Sequence, residues 1–216
     1  MRFIDIILSC FIIVVLMPIL LLVCICNLLT GEHKIFYQQI RIGKGGKKFK
    51  ILKFATMLQN SSTMPGGFFV ENNDNRLLPF GKFLRRTKIN EIPQLLNVLY
   101  GDMSLVGFRP LISSNFETIN KLAGIKAYEV LPGITSLASI VLRNEEEILI
   151  NVKDKQLYYD NVILPHKAIC DVWLAENRNA YNYVIILMLT VIALFFPKSK
   201  LPLGLLYNAP VLKSLR

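Results

Sequence analysis

An apolar run near the N-terminus is the feature that most limits how this chain can fold. Between Ile6 and Cys26, only Ser9 and Pro18 interrupt 21 otherwise apolar residues. A helix needs about 20 such residues to cross a bilayer core. A cleaved signal peptide would need a shorter apolar core followed by a small-residue cleavage site, and the residues after Cys26 offer none. The sequence therefore predicts a membrane-embedded helix within residues 1–30.

Two topologies of this helix stay open, because Pro18 removes an internal hydrogen bond and kinks a helix. A straight helix would span the membrane, whereas a bent one would enter and leave by the same face. Positive residues flank both ends, and positively charged loops remain in the cytoplasm. In either topology the polar domain is expected to face the cytoplasm. The basic residues are Arg2 before the run and Lys34, Arg41, Lys44, Lys47, Lys48, Lys50 and Lys53 after it.

Composition narrows the class of partner. The chain has 216 residues, 53% of them hydrophobic, and a mean hydropathy of +0.44, which fits one polar domain attached to a membrane anchor. Its net charge of +10 suits an anionic partner, such as phospholipid headgroups, a nucleotide or nucleic acid. Neither a stacking-aromatic sheet pattern nor a recognition helix accompanies that charge, so nucleic acid is not expected. The four cysteines and two histidines have no spacing that indicates a zinc site.

The remainder predicts an α+β fold: a small, mostly helical domain over residues 31–196, then a loosely ordered tail over 197–216. Residues 35–57 alternate in part around Gly45-Gly46 and predict a β-hairpin with a basic tip. The apolar run 183–196 is too short to span a membrane, and a buried helix and an interfacial helix both stay open. A polar loop is expected over 59–73, and helices around 80–86 and over 151–179.

A further helix start falls at residues 90–99. Asn90 is a favoured N-cap, Pro93 falls in the first turn, and a helix N-terminus attracts anions. Glu91 is a carboxylate that can hold a divalent cation there. In the following Gly- and Pro-rich loop, Arg109 is suited to bidentate binding of phosphate. From these residues alone, a structural cap is the favoured role for Asn90.

Several motifs occur in a defined order. QxRxGxxGxxFxxxKFxTM runs from Gln39 to Met57, and ExPQLxNVxxGDMSLVGxRPL runs from Glu91 to Leu111. Shorter elements are DxR at 74–76, LRRT at 84–87, PGIT at 132–135 and RN at 143–144. Together with the apolar helix and its central proline, they resemble the bacterial sugar transferase family, the monotopic polyprenyl-phosphate phosphoglycosyl transferases. The resemblance covers about residues 2 to 196, and the 91–111 block is long enough to be specific.

The resemblance implies an activity, a cofactor and a location. Members transfer a sugar 1-phosphate from a UDP-sugar to undecaprenyl phosphate, release UMP and so initiate surface polysaccharide or glycan synthesis. The family uses Mg²⁺ and an Asp-Glu pair, whose Asp forms a covalent phosphosugar intermediate. The chain is therefore expected at the bacterial inner membrane, in contact with membrane lipid. A carboxylate nucleophile divides one difficult displacement into two easier ones, and many cations suit two anionic substrates.

The resemblance also assigns roles to residues of this chain. Asn90 occupies the nucleophile position, Glu91 is the catalytic carboxylate beside it and the metal ligand, and Asp102 is a further candidate catalytic carboxylate that could take over as nucleophile. The substrate-binding residues implied by the motifs are Lys53, Arg76, Arg85, Arg86, Arg109, Pro110 and Arg143.

Departures from the family pattern gather at reactive positions. The nucleophile position holds an amide, Asn90, which is neutral and a poor nucleophile. Other departures are Met17, Ala55, Phe108, Ser136, Ser139 and Tyr183. Three hypotheses follow: Glu91 or Asp102 acts as nucleophile, the protein is a pseudoenzyme that binds nucleotide-sugar, lipid phosphate or a partner enzyme, or it is a membrane-bound assembly factor. We predict the transferase, with the pseudoenzyme as its alternative; the sugar and the oligomeric state, a homodimer included, stay open.

Overall fold

The computed structural model describes residues 1–61, 63–64, 74–150, 152–196, 199 and 201–210. Most of the loop predicted over 59–73 lies outside the described residues, as do 211–216 of the predicted tail. The α-helices are α1 Arg2–Leu29, α2 Gly81–Arg86, α3 Gln94–Tyr100, α4 Ser113–Ala123, α5 Leu137–Val141, α6 Glu145–Ile150, α7 Lys155–Tyr158, α8 Leu164–Glu176 and α9 Ala180–Phe195. The strands are β1 Phe36–Ile42, β2 Lys48–Phe54, β3 Ser104–Val106 and β4 Gly133–Thr135. The fold therefore mixes helices and strands, as the sequence predicts.

Two small sheets connect these helices. Strands β1 and β2 pair antiparallel, with Phe36 opposite Phe54 and Ile42 opposite Lys48. The turn between them is a 3₁₀ helix, Lys44–Gly46. Gly45 in this turn has φ 62°, a left-handed backbone conformation that glycine adopts without steric cost. Strands β3 and β4 pair parallel, although 26 residues separate Val106 from Gly133 along the chain. The sequence pattern does not predict this second sheet, because its strands have only three residues each.

Two glycines let the second sheet close tightly. A Cβ on Gly107 would lie 2.2 Å from the carbonyl oxygen of Leu131, and one on Gly133 would lie 2.1 Å from the nitrogen of Gly107. Real Cβ atoms do not approach so closely, so both positions require glycine. The PGIT motif therefore lies directly against the loop that carries Arg109.

The apolar core is divided into three clusters of buried residues. The largest joins α3, β3, α5, α8 and α9, and the N-terminal half of α1 packs against it. A second cluster places Phe108 and Leu111 with residues of α8 and of the π-helical segment Tyr159–Ile163. The third is small and joins Val23 of α1 to Phe54 and Leu84. The loop from Phe108 to Leu111 is thus supported by the second cluster.

Helix α1 is attached to the domain near both of its ends. Near the N-terminus, the Arg2 guanidinium donates to the carbonyls of Val98 and Leu99, at 2.5 and 3.0 Å, at the C-terminal end of α3. Near the C-terminus, Asn27 Nδ2 donates to the carbonyl of Ala55 at 3.0 Å. Within the described chain, α1 is the one helix long and apolar enough to cross a membrane, judged by length and composition. Its outer surface is apolar and exposed, at Phe3, Ile7, Phe11, Val14, Val15, Leu21, Leu22 and Ile25 among others.

Candidate phosphate-binding site

Three chain segments bring one carboxylate and two cations together. Lys53 comes from β2, Glu91 from the 3₁₀ turn Ile89–Glu91 before α3, and Arg109 from the loop after β3. Lys53 Nζ lies 3.2 Å from Glu91 Oε1, and Arg109 Nη2 lies 2.7 Å from the same oxygen. The structure therefore assembles three of the predicted site residues. Lys53 and Glu91 are largely buried, whereas 47% of the Arg109 side chain is exposed.

A second arginine lies beside this group. Arg41 Nε and Nη2 donate to Gln39 Oε1 at 3.1 and 2.6 Å, and its Nη1 lies 3.5 Å from the carbonyl oxygen of Pro110. Burial, and then the positive charge of Arg109, lowers the pKa of Arg41 to about 10. Arg41 therefore lies within electrostatic reach of Arg109. We call Arg41, Lys53, Glu91 and Arg109 the cation cluster.

The cation cluster carries two more positive charges than negative ones. Burial lowers the pKa of Lys53 to about 8, although the charge of Glu91 opposes that shift. Burial would raise the pKa of Glu91, but the charges of Arg109 and Lys53 outweigh it and hold that pKa below the usual range. Glu91 is therefore ionised at neutral pH. The net positive charge that remains is accessible from solvent at the half-exposed Arg109. It suits a phosphate or pyrophosphate group.

Asn90 does not cap the following helix, so the N-cap prediction is wrong. Helix α3 begins at Gln94, after Pro93, and Asn90 instead lies in the preceding 3₁₀ turn. The residue before that turn, Lys88, has φ 59°, a left-handed conformation that is uncommon outside glycine. Asn90 is buried, and its Oδ1 has no hydrogen-bond partner among the described residues. A buried amide oxygen without a partner is unusual, and it stands next to Glu91 in the chain.

Asn90 and Glu91 carry oxygens of the kind that bind magnesium. Both cations bind Oε1, so Oε2 has no partner among the described residues, and neither has Asn90 Oδ1. Mg²⁺ is commonly held by one or two protein oxygens together with substrate phosphates and water. In the part of the chain that the structure describes, no three His, Cys, Asp or Glu residues form a metal cluster. Any ion here would therefore depend on the substrate for most of its ligands.

Pro110 lies beside the cation cluster through its carbonyl oxygen, whereas the remaining predicted site residues contact other groups or are exposed. Arg76 is buried and forms a bidentate pair with Asp74, at 2.8 and 2.6 Å, which lowers the pKa of that carboxyl to about 2. Asp102 is exposed beyond the C-terminal end of α3, where Asn97 Nδ2 lies 3.5 Å from its Oδ2. The structure thus does not bring Asp102 to Glu91.

The basic residues of α2 and of the RN motif also have their own surroundings. Arg85 Nη1 contacts Met57 Sδ at 3.5 Å, and Arg86 is exposed at the end of α2. Arg143 donates to the carbonyl of Ser199. Arg143 therefore attaches the C-terminal segment to the domain.

Arg41 was not predicted to be a site residue, although it belongs to the motif that runs from Gln39 to Met57. The signal that could have found it is strand alternation. Tyr37, Gln39 and Arg41 alternate along β1, and the register places them opposite Lys53, Ile51 and Phe49 of β2. Arg41 and Lys53 therefore share one face of the hairpin.

Comparisons with known proteins show what the sequence of this chain resembles. Residues 1–197 match the sequence model of a family described as bacterial sugar transferase. The chain is 36% identical, over 162 residues, to a UDP-glucose:undecaprenyl-phosphate glucose-1-phosphate transferase of Klebsiella pneumoniae; the match covers 72% of this chain and 34% of that protein. It is 32% identical, over 174 residues, to the exopolysaccharide production protein ExoY of Sinorhizobium fredii, covering 74% of this chain and 76% of that protein.

A third relative is the UDP-N-acetylgalactosamine-undecaprenyl-phosphate N-acetylgalactosaminephosphotransferase of Aeromonas hydrophila. It is 36% identical over 126 residues, which cover 57% of this chain and 30% of that protein. The matched region is thus about a third of the Klebsiella and Aeromonas proteins, but about three quarters of ExoY.

Proposed function

The chain belongs to the bacterial sugar transferase family, and from that membership and the cation cluster we propose that it transfers a sugar 1-phosphate from a UDP-sugar to undecaprenyl phosphate. The reaction releases UMP and initiates assembly of a surface polysaccharide or glycan. By resemblance to its relatives, the chain is a phosphoglycosyl transferase. The observation that carries the proposal is the excess positive charge around Glu91, beside a helix with an exposed apolar surface.

The cation cluster performs two tasks in this proposal. Arg109 and Arg41 bind the pyrophosphate of the UDP-sugar, because guanidinium groups match phosphate oxygens in charge and geometry. They also stabilise the negative charge that develops as the pyrophosphate bond breaks. Lys53 holds Glu91 in place at 3.2 Å and adds a further positive charge.

The attacking group cannot be the one that the family pattern gives, since Asn90 is an amide and cannot act as a carboxylate. Glu91 is the carboxylate of the cation cluster, and its Oε2 has no partner among the described residues. We assign the attack to Glu91 Oε2: a bond forms to the sugar-linked phosphorus, and the bond to the UMP oxygen breaks. An oxygen of the lipid phosphate then attacks the same phosphorus and releases Glu91. Asp102 is not assigned this step, because α3 separates it from the cluster.

Magnesium belongs to the proposal as a cofactor. Asn90 Oδ1, which has no hydrogen-bond partner among the described residues, would supply a protein oxygen, and substrate phosphates and water would supply the other ligands. When bound, the ion would neutralise phosphate charge and act as a Lewis acid. Removal of divalent cations with EDTA is expected to abolish UMP release, and added Mg²⁺ should restore it.

We also propose that α1 is re-entrant and that the polar domain lies at the cytoplasmic face of the bacterial inner membrane. Arg2 and Asn27 bind the same domain from opposite ends of α1. A helix that crossed the bilayer would carry its N-terminus about 30 Å from the domain. Pro18, inside the helix, allows it to bend back. A cysteine introduced at Phe3 should react with an impermeant thiol reagent only from the cytoplasmic side.

The test of the transferase is UMP release from purified protein in detergent, with undecaprenyl phosphate, Mg²⁺ and a panel of UDP-sugars. We expect UMP with one or a few of these sugars. No UMP from any sugar, with folded protein that still binds a UDP-sugar, would refute the transferase. The variant Asn90→Asp should raise the rate sharply if the missing carboxylate alone limits turnover, and should leave it unchanged if Glu91 already attacks.

One observation favours a second candidate, a pseudoenzyme that binds the substrates without turnover. The nucleophile position holds a neutral amide, and two cations hold the neighbouring Glu91. This candidate predicts that a UDP-sugar raises the melting temperature of the chain while no UMP forms. The same assay therefore separates the two functions.

A further inference from the structure

A second group of polar side chains joins α6, the π-helical segment and α8. Lys167 Nζ lies 2.8 Å from Glu145 Oε2 and 3.4 Å from the hydroxyl of Tyr159. The same ammonium lies 4.8 Å from the centre of the Tyr159 ring. We call Glu145, Tyr159 and Lys167 the Glu145 patch. None of the motifs that define the family resemblance includes these three residues.

The Glu145 patch is near the cation cluster. Tyr159 belongs to the same buried apolar cluster as Phe108 and Leu111, the residues that flank Arg109 and Pro110. The backbone nitrogen of Ile42 donates to the carbonyl of Leu111 at 2.8 Å, which places this cluster next to Arg41. The charge of Glu91 is the main cause that raises the pKa of Arg109, and the charges of Glu145 and Tyr159 add to that shift. Arg109 therefore lies within electrostatic reach of carboxylates from two different parts of the chain.

The local backbone has an irregular feature here. Between α7 and α8 the chain forms a π-helical segment, Tyr159–Ile163, whose first residue is the tyrosine of the patch. A π-helical turn costs stability, and such turns occur often at functional sites. The segment sets the position of Tyr159 relative to Lys167, eight residues later. Glu145 and Lys167 remain partly exposed, so an adjacent ligand can reach them.

Resting on the proposed function, we propose that the Glu145 patch recognises the sugar of the UDP-sugar. With the pyrophosphate on Arg41 and Arg109, the sugar extends from the cation cluster, and hydroxyl groups then meet Glu145 and Lys167. A carboxylate accepts hydrogen bonds from hydroxyls, an ammonium donates to them, and charged partners make these bonds strong. A site that hydrogen-bonds a hydroxyl rejects analogues that lack it or present it differently. The Glu145 patch would therefore select among sugars, while the cation cluster binds the pyrophosphate that all UDP-sugars share.

Calorimetry on the full-length chain in detergent tests this assignment. The ligands are UDP, UDP-glucose, UDP-galactose and their two N-acetylated counterparts, and the variants are Glu145→Gln and Lys167→Gln. For the sugar bound best, we expect each variant to raise the Kd by about tenfold, as for one lost hydrogen bond to a charged group. The Kd for UDP should change less than about twofold, because UDP has no sugar to meet the patch. Glu117→Gln, an exposed glutamate on α4, is the matched control and should change neither.

The outcomes separate this inference from the proposed function. If the unaltered chain binds neither UDP nor any UDP-sugar, both are overturned. If it binds them and the variants weaken UDP and UDP-sugar equally, only the sugar assignment is overturned, and the patch is structural. If Lys167→Gln weakens a short polyprenyl phosphate instead of the UDP-sugar, the patch serves the lipid substrate and the assignment is also overturned. Melting temperatures measured in parallel show that each variant is folded.

Discussion

Two buried carboxylates in this protein have opposite surroundings. Glu91 lies among cations and keeps one oxygen without a partner among the described residues. Asp5, on α1, accepts from neutral donors in the described part of the chain: the backbone N–H of Leu105 at 2.9 Å and the hydroxyls of Ser104 and Tyr183. The first arrangement leaves positive charge in excess, whereas the second satisfies the carboxylate from within the chain.

This contrast shows how a carboxylate in a binding site can be distinguished from a carboxylate that connects structural elements. Charge that the chain does not neutralise must be balanced by something else, and an anionic substrate can do so. A carboxylate that receives several buried hydrogen bonds is instead a structural connection, because its loss leaves donors without partners. Asp5 connects α1 to β3 and α9 through neutral donors, while Glu91 is held by two cations whose charge it only partly neutralises. Substitutions at the two sites should therefore affect different measurements.

The largest expected effect is at Asp5. Asp5→Ala leaves the N–H of Leu105 and two hydroxyls buried without an acceptor, which should lower the free energy of unfolding by about 3 kcal/mol or more. For a domain of this size that corresponds to a fall of about 10 °C in melting temperature, measured by thermal denaturation in detergent. Phe3→Ala, at an exposed position on the same helix, is the control and should shift it little. Equal shifts in the two variants would show that Asp5 does not anchor α1.

The next effect is at Glu91 and should be seen in activity. Glu91→Gln preserves the shape of the side chain but removes the charge and, in the proposed reaction, the attacking oxygen. We expect UMP release to fall by about a hundredfold or more, while the melting temperature falls much less than in Asp5→Ala. A loss of stability as large as that of Asp5→Ala would remove the contrast between the two carboxylates.

A pH dependence from Lys53 should be smaller. Burial lowers its pKa to about 8, so the cation cluster loses a charge as pH rises from 7 to 9. We expect the Kd for a UDP-sugar to rise by about tenfold over that range, and Lys53→Arg to remove most of the rise. Unfolded lysine keeps its proton to higher pH, so the same shift makes the folded chain more stable as pH rises above about 8. Binding that is independent of pH in the unaltered chain would exclude Lys53 from the anion site.

The smallest effect is expected for the Tyr183 hydroxyl. Tyr183→Phe removes one of the donors to Asp5 and keeps the ring packed, so it should cost about 1 kcal/mol of stability. Tyr181→Phe, two residues earlier and exposed, is the matched control. A cost near zero would show that Leu105 and Ser104 alone satisfy Asp5.

The sequence predicted the parts of this fold that depend on local pattern. The apolar run became α1, the alternation around Gly45-Gly46 became β1 and β2, and the helix expected around 80–86 became α2. Lys53, Glu91 and Arg109 were identified through motifs, and the structure joins them. The prediction that Asn90 is an N-cap was wrong. The chain forms a 3₁₀ turn before α3, and the Asn90 side chain is buried in that turn and does not cap the helix.

The parts that could not be predicted involve residues far apart in the chain. Asp5 meets Leu105 and Tyr183 across 100 and 178 positions, and no periodicity within a window of residues contains that information. The parallel pairing of β3 with β4 is equally non-local, since each strand has only three residues. Arg41 was overlooked for a different reason: its role depends on the register of the hairpin, which the sequence alone does not fix.

The attachment of α1 at both ends has a practical consequence for work with this protein. Cutting the chain before residue 31 would remove Arg2 from the carbonyls of α3 and Asn27 from the carbonyl of Ala55. Glu91 immediately precedes the turn into α3, and Lys53 lies two residues before Ala55. A fragment made in this way would lose the contacts of Arg2 with the C-terminal end of α3 and of Asn27 beside β2, so inactivity of that fragment would say nothing about the full-length chain. Detergent or nanodisc preparations that retain residues 1–30 are therefore the ones whose kinetics can be interpreted.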